Sequence, residues 1–239
     1  MARKEKEPLW THKRFLTTES CDFSSRATDL AMGRNVKELA ARYASADTLS
    51  NAVVGNCQRI REDAAKALSI GRSTGSLLNG ARALALCGEA GQAQSLFDEL
   101  AKRNPKDTLI NAIWLPVIRA AIELQRGHPD QAIQLLQAAS RYEAAADFWP
   151  TYLRGNAYLR WQKGAEAAAE FQKILDHRGW NPLSQLYPLA HLGLARAAAL
   201  AGDTAKSRKA YQDFFAIWKD ADLDLPILIE AKKEYDRLK

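Results

Sequence analysis

Three aspartates near the C-terminus come closest to a metal-binding pattern. Asp220, Asp222 and Asp224 alternate along the chain as the first ligands of a calcium loop do. An EF-hand loop also needs glycine at its sixth position and glutamate at its twelfth. This sequence has Leu225 and Ala231 there. We therefore expect these carboxylates to lie in a solvated turn and to cap a helix, and we predict no metal site.

The other titratable and nucleophilic residues form no catalytic pattern. The segment 71–76, with the sequence GRSTGS, lacks the lysine of a phosphate-binding loop, and a turn between repeats explains it better. The four histidines are well separated, and no Ser/His/Asp or Cys/His combination stands out locally: His12, His128, His177 and His191. We predict that the chain is not an enzyme and holds no cofactor.

The cysteines also lack a recognisable arrangement. There are three of them, Cys21, Cys57 and Cys87, and none forms a CxxC pair or a cluster with histidine. Neither a disulfide framework nor a zinc site is therefore indicated. Cys57 and Cys87 lie near glycines in helical contexts, where a small buried thiol is the simplest interpretation.

Several polar residues are better candidates, for peptide binding. Arg82 and Arg196 lie six residues before Gly88 and Gly202, so they should occupy equivalent positions in successive helix pairs. Arg119 is a further candidate. A ladder of arginines could bind an acidic peptide or a C-terminal carboxylate through bidentate hydrogen bonds. Alternatively, these arginines only solvate the groove or pair with nearby acids.

Two other segments could contribute to a binding surface. Asn156 holds the corresponding place in another repeat, and Tyr152 lies one helical turn before it. The loop from His177 to Pro188 is the most unusual one in the chain. Its Trp180 could be an exposed anchor for a partner, or it could be buried against the adjoining repeat.

The elements that must position these residues are helices. The composition is 47% hydrophobic and 26% charged, much of the apolar share is alanine and leucine, and no alternating run of strand formers occurs. Glycines at separations of 33, 39, 37 and 38 residues mark turns between helices: Gly55, Gly88, Gly127, Gly164 and Gly202. We predict an all-α chain with repeats over roughly 40–70, 75–105, 108–142, 149–177 and 187–219.

The second helix of each predicted pair has an apolar stripe. Ala167, Phe171 and Ile174 lie at spacings of three and four residues, which puts them on one helix face. Ala93, Leu96 and Phe97 repeat this arrangement. A single helix pair cannot bury such a stripe, so the pairs must stack.

These motifs resemble the tetratricopeptide repeat. Gly155 and Tyr158, followed by Ala167 and Phe171, are similar to its pattern of a small residue, an aromatic residue, an alanine and a second aromatic residue. The segments 80–105 and 191–211 match as well, whereas 105–139 is looser. The resemblance implies a right-handed superhelix of stacked helix pairs whose first helices line a concave, peptide-binding groove.

A narrower resemblance concerns the C-terminal half. The stretches 165–177, 189–203 and 214–238 are similar to repeat tails of bacterial multidomain serine/threonine protein kinases and of related winged-helix regulators. Such tails are sensory or docking modules, and this chain has no kinase motif. The resemblance implies a protein-binding module in signalling or regulation. The alternative is a detached sensory or self-association tail of a kinase or transcriptional regulator.

The ends of the chain are interpreted separately. Residues 1–26 have no periodicity and are expected to be a poorly ordered leader before a repeat domain over 27–239. Residues 224–239 carry an apolar stripe opposite a charged face, with Asp224 as N-cap and Pro226 early in the helix. This pattern is typical of a terminal capping helix.

Charge and hydropathy limit the expected partners. The net charge of +6 is spread over interleaved acids and bases, whereas a nucleic-acid binder needs a concentrated basic face. No apolar stretch is long enough for a membrane span, and the start of the chain lacks a secretory signal. We predict a cytoplasmic protein that binds a protein or peptide and neither nucleic acid nor membrane; its oligomeric state is left open.

Overall fold

The alanine- and leucine-rich segments fold into α-helices. The computed structural model describes residues 18–238, with side chains from residue 24 onward. The α-helices are α1 (Thr18–Gly33), α2 (Lys37–Val53), α3 (Ile60–Ile70), α4 (Thr74–Leu86), α5 (Ala90–Arg103), α6 (Leu115–Gln125), α7 (Pro129–Gln137), α8 (Trp149–Arg160), α9 (Gly164–Asp176), α10 (Leu186–Leu200), α11 (Thr204–Ile217) and α12 (Pro226–Asp236). No strand occurs between residues 18 and 238, so the prediction of an all-α chain is confirmed there.

Short irregular helices connect some of these elements. A π-helical segment, Ile110–Trp114, leads directly into α6, and 3-10 segments cover Ser140–Ala145 and Arg178–Trp180. Each of the five predicted repeat ranges contains one helix pair, from α2–α3 to α10–α11. Most of the predicted leader, residues 1–17, lies outside the described residues, and its last part belongs to α1.

The turns within the helix pairs depend on left-handed backbone conformations. Gly55, Gly88, Gly127 and Gly202 have φ between 78° and 83°, a region in which glycine has no steric cost. The predicted turn glycine Gly164 differs, because it is the first residue of α9 and the left-handed residue is Gln162, with φ of 59°.

Gly164 is instead required by a close helix contact. A Cβ at this position would lie 3.0 Å from the carbonyl oxygen of Ala197 and 3.3 Å from the backbone nitrogen of Ala201. The start of α9 therefore rests directly on the end of α10. No larger residue fits there without moving one of the two helices.

The helices pack in a repeating order. Each second helix contacts its own first helix, and the first helices of successive pairs contact one another, from α2–α4 through α4–α6 and α6–α8 to α8–α10. The second helices also contact the next first helix, as in α3–α4, α5–α6, α7–α8 and α9–α10. The core is continuous between these layers, with Phe97, Phe171 and Phe214 buried in it.

Helix α12 connects the two ends of this array. It contacts α11, and the backbone N–H of Ile227 donates to the carbonyl of Val54, immediately after α2, at 3.3 Å. The predicted capping helix thus packs against the last pair and also reaches the first. Its N-cap position is Leu225 and not Asp224, because the residue before Pro226 takes an extended conformation.

Candidate functional site

Arg82 lies between two tryptophan rings. Its guanidinium carbon is 4.8 Å from the ring centroid of Trp114 and 4.7 Å from that of Trp149. One Nη donates to Asn79 Oδ1 at 2.6 Å, and Nε is buried without a hydrogen-bond acceptor. Only 7% of the residue is exposed. Arg82 is therefore a buried residue, and not the exposed groove residue that its sequence position suggested.

The charge of Arg82 is poorly compensated. Burial lowers the pKa of the guanidinium to about 9, and the negative charge of Asp147 opposes this shift. No carboxylate in the described part of the chain forms a salt bridge with it. A buried cation without a paired acid is destabilising unless other contacts offset the loss of hydration, and here the two aromatic faces provide such contacts.

A strained corner precedes the second of these tryptophans. Asp147 and Phe148 both have left-handed backbones, with φ of 47° and 65°, and a bulky residue such as phenylalanine rarely adopts this conformation. Phe148 is nevertheless fully buried, and Trp149 begins α8 directly after it. Local strain of this kind persists only where the surrounding structure holds it.

The Trp180 loop packs against this corner. The Trp180 ring stacks on Phe148, with centroids 5.9 Å apart, and lies 4.2 Å from the ring of His177. Asn181 Nδ2 donates to Asp147 Oδ1 at 3.1 Å. Trp180 is 46% exposed. The sequence left open whether it is an exposed anchor or a buried residue, and the structure shows that it is partly packed and partly accessible.

Tyr152 and Asn156 line a cavity in the layer of first helices. This cavity has a volume of about 150 Å³, and the ends of α2, α4, α6 and α8 surround it: Ala52, Val53, Leu86, Ala121, Leu124, Gln125, Tyr152, Leu153, Asn156 and Arg160. Tyr152, Asn156 and Arg160 follow one another at four-residue spacing and so form one stripe of α8. Burial raises the pKa of the Tyr152 hydroxyl.

Arg160 completes the polar side of this cavity. Its Nη1 donates to the carbonyl of Leu124, and burial lowers its pKa. It forms no ion pair with any described carboxylate. The sequence analysis missed Arg160, although it lies only four residues before the predicted turn glycine Gly164.

Arg196 is occupied by the C-terminal helix. Its Nε donates to Glu234 Oε2 at 2.9 Å, and its Nη2 lies 3.3 Å from Glu230 Oε2. The hydroxyl of Tyr211 donates to the same Glu234 oxygen at 2.8 Å. Burial alone would lower the pKa of Arg196, but the hydrogen bond and charge of Glu234 raise it. Arg196 therefore pairs with nearby acids, which is one of the alternatives that the sequence left open for these arginines.

Arg119 lies apart from the other candidates. It is exposed, its guanidinium stacks on the Phe97 ring at 4.4 Å, and it lines an open depression between α5, α6 and α7. The structure thus brings Tyr152 and Asn156 together and places Arg82, Arg119 and Arg196 in three different environments. Arg82 and Arg196 lie the same number of residues before a turn glycine, but they do not share a surface.

Cys57 and Cys87 form a disulfide bond. Their Cα atoms are 5.5 Å apart although 30 residues separate them in the sequence. The prediction of two separate buried thiols is therefore wrong. A sequence shows local pairs such as CxxC directly, whereas these two cysteines belong to turns of adjacent helix pairs, which stacking brings together. Because disulfides persist mainly in oxidising compartments, this bond argues against the predicted cytoplasmic location.

Two other sequence candidates have structural explanations. In segment 71–76, the Ser73 side chain accepts a hydrogen bond from the Ser76 backbone at 3.2 Å and caps α4. Asp220, Asp222 and Asp224 lie in the turn before α12. Among the side chains that the structure describes, those of residues 24–238, no group of three or more His, Cys, Asp or Glu could hold a metal ion.

Comparisons of the chain with protein families and with curated proteins found no match. Among the described helices, none combines the length and apolarity that crossing a membrane requires.

Proposed function

We propose that the chain is a tetratricopeptide-like, right-handed superhelix that binds a peptide or protein segment and catalyses no reaction. The packing order supports this fold, because every first helix contacts its own second helix and the first helices of the neighbouring pairs. The packing around Phe171 supports it too: a Cβ on Gly155 would lie 2.7 Å from the Phe171 ring, and one on Gly193 would overlap it. The glycines on the first helices α8 and α10 thus leave room for the ring of Phe171, which lies on the second helix α9.

The α8 stripe of Tyr152, Asn156 and Arg160 is the observation that carries the binding function. These side chains point to a cavity formed by four first helices, which is the layer that lines the concave side of such a superhelix. The walls of the cavity are partly polar and partly apolar, and polar groups beside apolar ones fix the orientation of a bound segment. Arg160 is partly desolvated and has no acid partner among the described residues, so an acidic or carboxylate-bearing segment suits this surface best.

The test is a pull-down from lysate with three versions of the full chain. The Asn156→Arg substitution fills the cavity with a longer side chain and so blocks it sterically. The wild-type Asn156 side chain bonds within its own helix, at the Tyr152 carbonyl. The matched control is Arg119→Ala, since Arg119 lies between α5, α6 and α7. We expect a partner that the wild-type and Arg119→Ala chains retain and that Asn156→Arg loses, with equal melting temperatures. A partner retained equally by all three would place binding elsewhere.

A second candidate function is self-association as the tail of a larger signalling protein. Five large apolar residues on or between α1 and α2 are exposed: Leu30, Met32, Val36, Leu39 and Tyr43. An exposed apolar patch is typical of an interaction site. Light scattering should then show a dimer or larger species that the Leu39→Glu chain does not form and the neighbouring Glu38→Gln chain does. A wild-type chain that is monomeric at every concentration would exclude this candidate.

A further inference from the structure

Helix α12 occupies a position across the ends of the helix array. At its start, Pro226 packs near Gly55, and the N–H of Ile227 donates to Val54. At its other end, Glu234 binds Arg196 of α10 and Tyr211 of α11. Val54 follows directly on Val53, which lines the α8 cavity. The helix therefore lies beside the surface to which we assign peptide binding.

The packing of α12 is limited. Among its residues only Leu228 and Ala231 are fully buried, while Ile229 is exposed. The helix has 11 residues, and helices shorter than about 12 to 15 residues are marginal without tertiary contacts. The segment before it is a turn in which Leu223 is 72% exposed. Elements with few buried contacts are those that open most readily.

Displacing α12 would uncover a site that requires a carboxylate partner. Arg196 would lose both of its carboxylate partners, Glu230 and Glu234, and Tyr211 would lose the acceptor of its hydroxyl. A partly buried guanidinium left without an acid is unfavourable. The uncovered surface would therefore favour a ligand that restores a carboxylate at this point.

We propose that α12 is an internal ligand of this surface and that the partner is an amphipathic helix of the same pattern which displaces it. The pattern is an apolar stripe, at the positions of Leu228, Ala231 and Tyr235, flanked by two acids one turn apart, at the positions of Glu230 and Glu234. Recognition of an amphipathic helix through such anchors is a common mode of peptide binding. This inference rests on the proposed function, since it extends the binding surface from the α8 cavity to the neighbouring Arg196 and Tyr211 and names the partner.

An internal ligand weakens the binding of an external one. If α12 covers the surface in about 99% of the molecules, the apparent affinity for the partner helix falls about 100-fold. Releasing α12 should therefore strengthen binding without any change in the site itself. This behaviour distinguishes a displaceable helix from a permanent structural cap.

The experiment uses the full chain and a fluorescent synthetic peptide with the sequence of residues 224–239. The Glu230→Gln/Glu234→Gln chain keeps Arg196 and Tyr211 but removes the charges that hold α12. We expect it to bind the peptide at least about tenfold more tightly than the wild-type chain does, measured by fluorescence anisotropy. A peptide in which the glutamates at positions 230 and 234 are replaced by glutamine should bind to this variant chain at least about tenfold more weakly than the unmodified peptide does, because Arg196 then gains no charged acceptor.

Hydrogen exchange of residues 226–236 shows whether α12 opens. A second full-length variant, Leu228→Asp, releases the helix by a different route, because Leu228 is buried. If exchange is unchanged in both variants, α12 is not displaceable and the proposal is wrong. If the helix is released and the peptide binds no more tightly than to the wild type, the proposal is also wrong.

The outcomes separate this inference from the proposed function. A cellular partner that is lost by Asn156→Arg but is not displaced by the 224–239 peptide would leave the binding function intact and overturn the inference. Tight binding of the peptide to the released chain would support the inference even if the Asn156→Arg pull-down showed no dependence on the cavity.

Discussion

At the scale of single residues, Arg82 shows how a cation is accommodated without an acid. Its guanidinium is held by two tryptophan faces and one amide oxygen, and its Nε has no acceptor. Aromatic faces compensate part of the lost hydration of a buried cation. The contribution of the charge of Arg82 to the free energy of unfolding can therefore be separated from the contribution of its packing volume.

We predict that Arg82→Met and Arg82→Ala differ sharply. Methionine retains most of the packing volume and removes a poorly paired buried charge, so the free energy of unfolding should stay within about 1 kcal/mol of the wild-type value. Alanine leaves a gap between Trp114 and Trp149 and should cost about 3 kcal/mol. Urea denaturation at neutral pH measures both. Equal losses for the two variants would show that the charge itself stabilises the fold.

Asp47 gives a prediction of pH dependence. Burial and the nearby charge of Asp63 raise the pKa of its carboxyl from 3.8 to about 6. The folded state therefore binds the proton more tightly than the unfolded state does. Ionised Asp47 destabilises the fold above pH 6, and this penalty decreases as the pH falls below 6 and disappears at about pH 3.

The Asp47→Asn chain isolates this effect. It should be more stable than the wild type by about 1 to 2 kcal/mol near pH 8, a figure that allows for the partial solvation of the carboxyl. The difference should vanish at about pH 3, where wild-type Asp47 is protonated in both states. Urea denaturation of both chains across this range tests it, and a difference that does not change with pH would contradict the assigned cause.

At the scale of helices, close contacts depend on glycines that face an aromatic ring. Phe171 of α9 is fully buried between α8 and α10, and a Cβ on Gly193 would overlap its ring. We expect Gly193→Ala to lower the free energy of unfolding by about 2 to 3 kcal/mol, because the helices must separate. Thermal denaturation followed by circular dichroism measures this loss.

Gly91 provides the matched control for Gly193. It also lies in a helix, near the start of α5, but a Cβ there would meet nothing within 4 Å. Gly91→Ala should therefore stabilise the chain by up to about 1 kcal/mol through helix propensity. If both substitutions changed stability equally, the contact with Phe171 would not be the cause.

The elements could be predicted from the sequence to a large extent, but their contacts could not. Alanine and leucine periodicity and turn glycines are local signals, and they predicted the helical class of the chain. Contacts such as Arg82 with Trp149 or Arg196 with Glu234 join different helices. Arg82 and Arg196 lie at the same distance from a turn glycine, yet later helices cover them with tryptophans in one case and with acids in the other.

At the scale of the whole molecule, curvature brings distant helices together. Residues of α2 and α8 line the same cavity, and Ile227 of α12 bonds to Val54. These contacts link the beginning of the array of helix pairs to its later helices. The disulfide between Cys57 and Cys87 joins the first helix pair to the second.

The disulfide between these cysteines gives a prediction about the whole chain. It closes a segment of 30 residues, and a cross-link of this span restricts the unfolded chain by about 3 to 4 kcal/mol. We expect reduction, or the Cys57→Ser/Cys87→Ser substitution, to lower the free energy of unfolding by this amount while the helical circular dichroism of the folded chain is retained. The Cys21→Ser chain is the control and should keep the full sensitivity to reductant, because the bond uses the other two cysteines. Intact-mass measurement before and after reduction should differ by the mass of two hydrogen atoms. An unchanged mass together with unchanged stability would mean that the bond does not form in the purified chain, and the objection to a cytoplasmic location would then be removed.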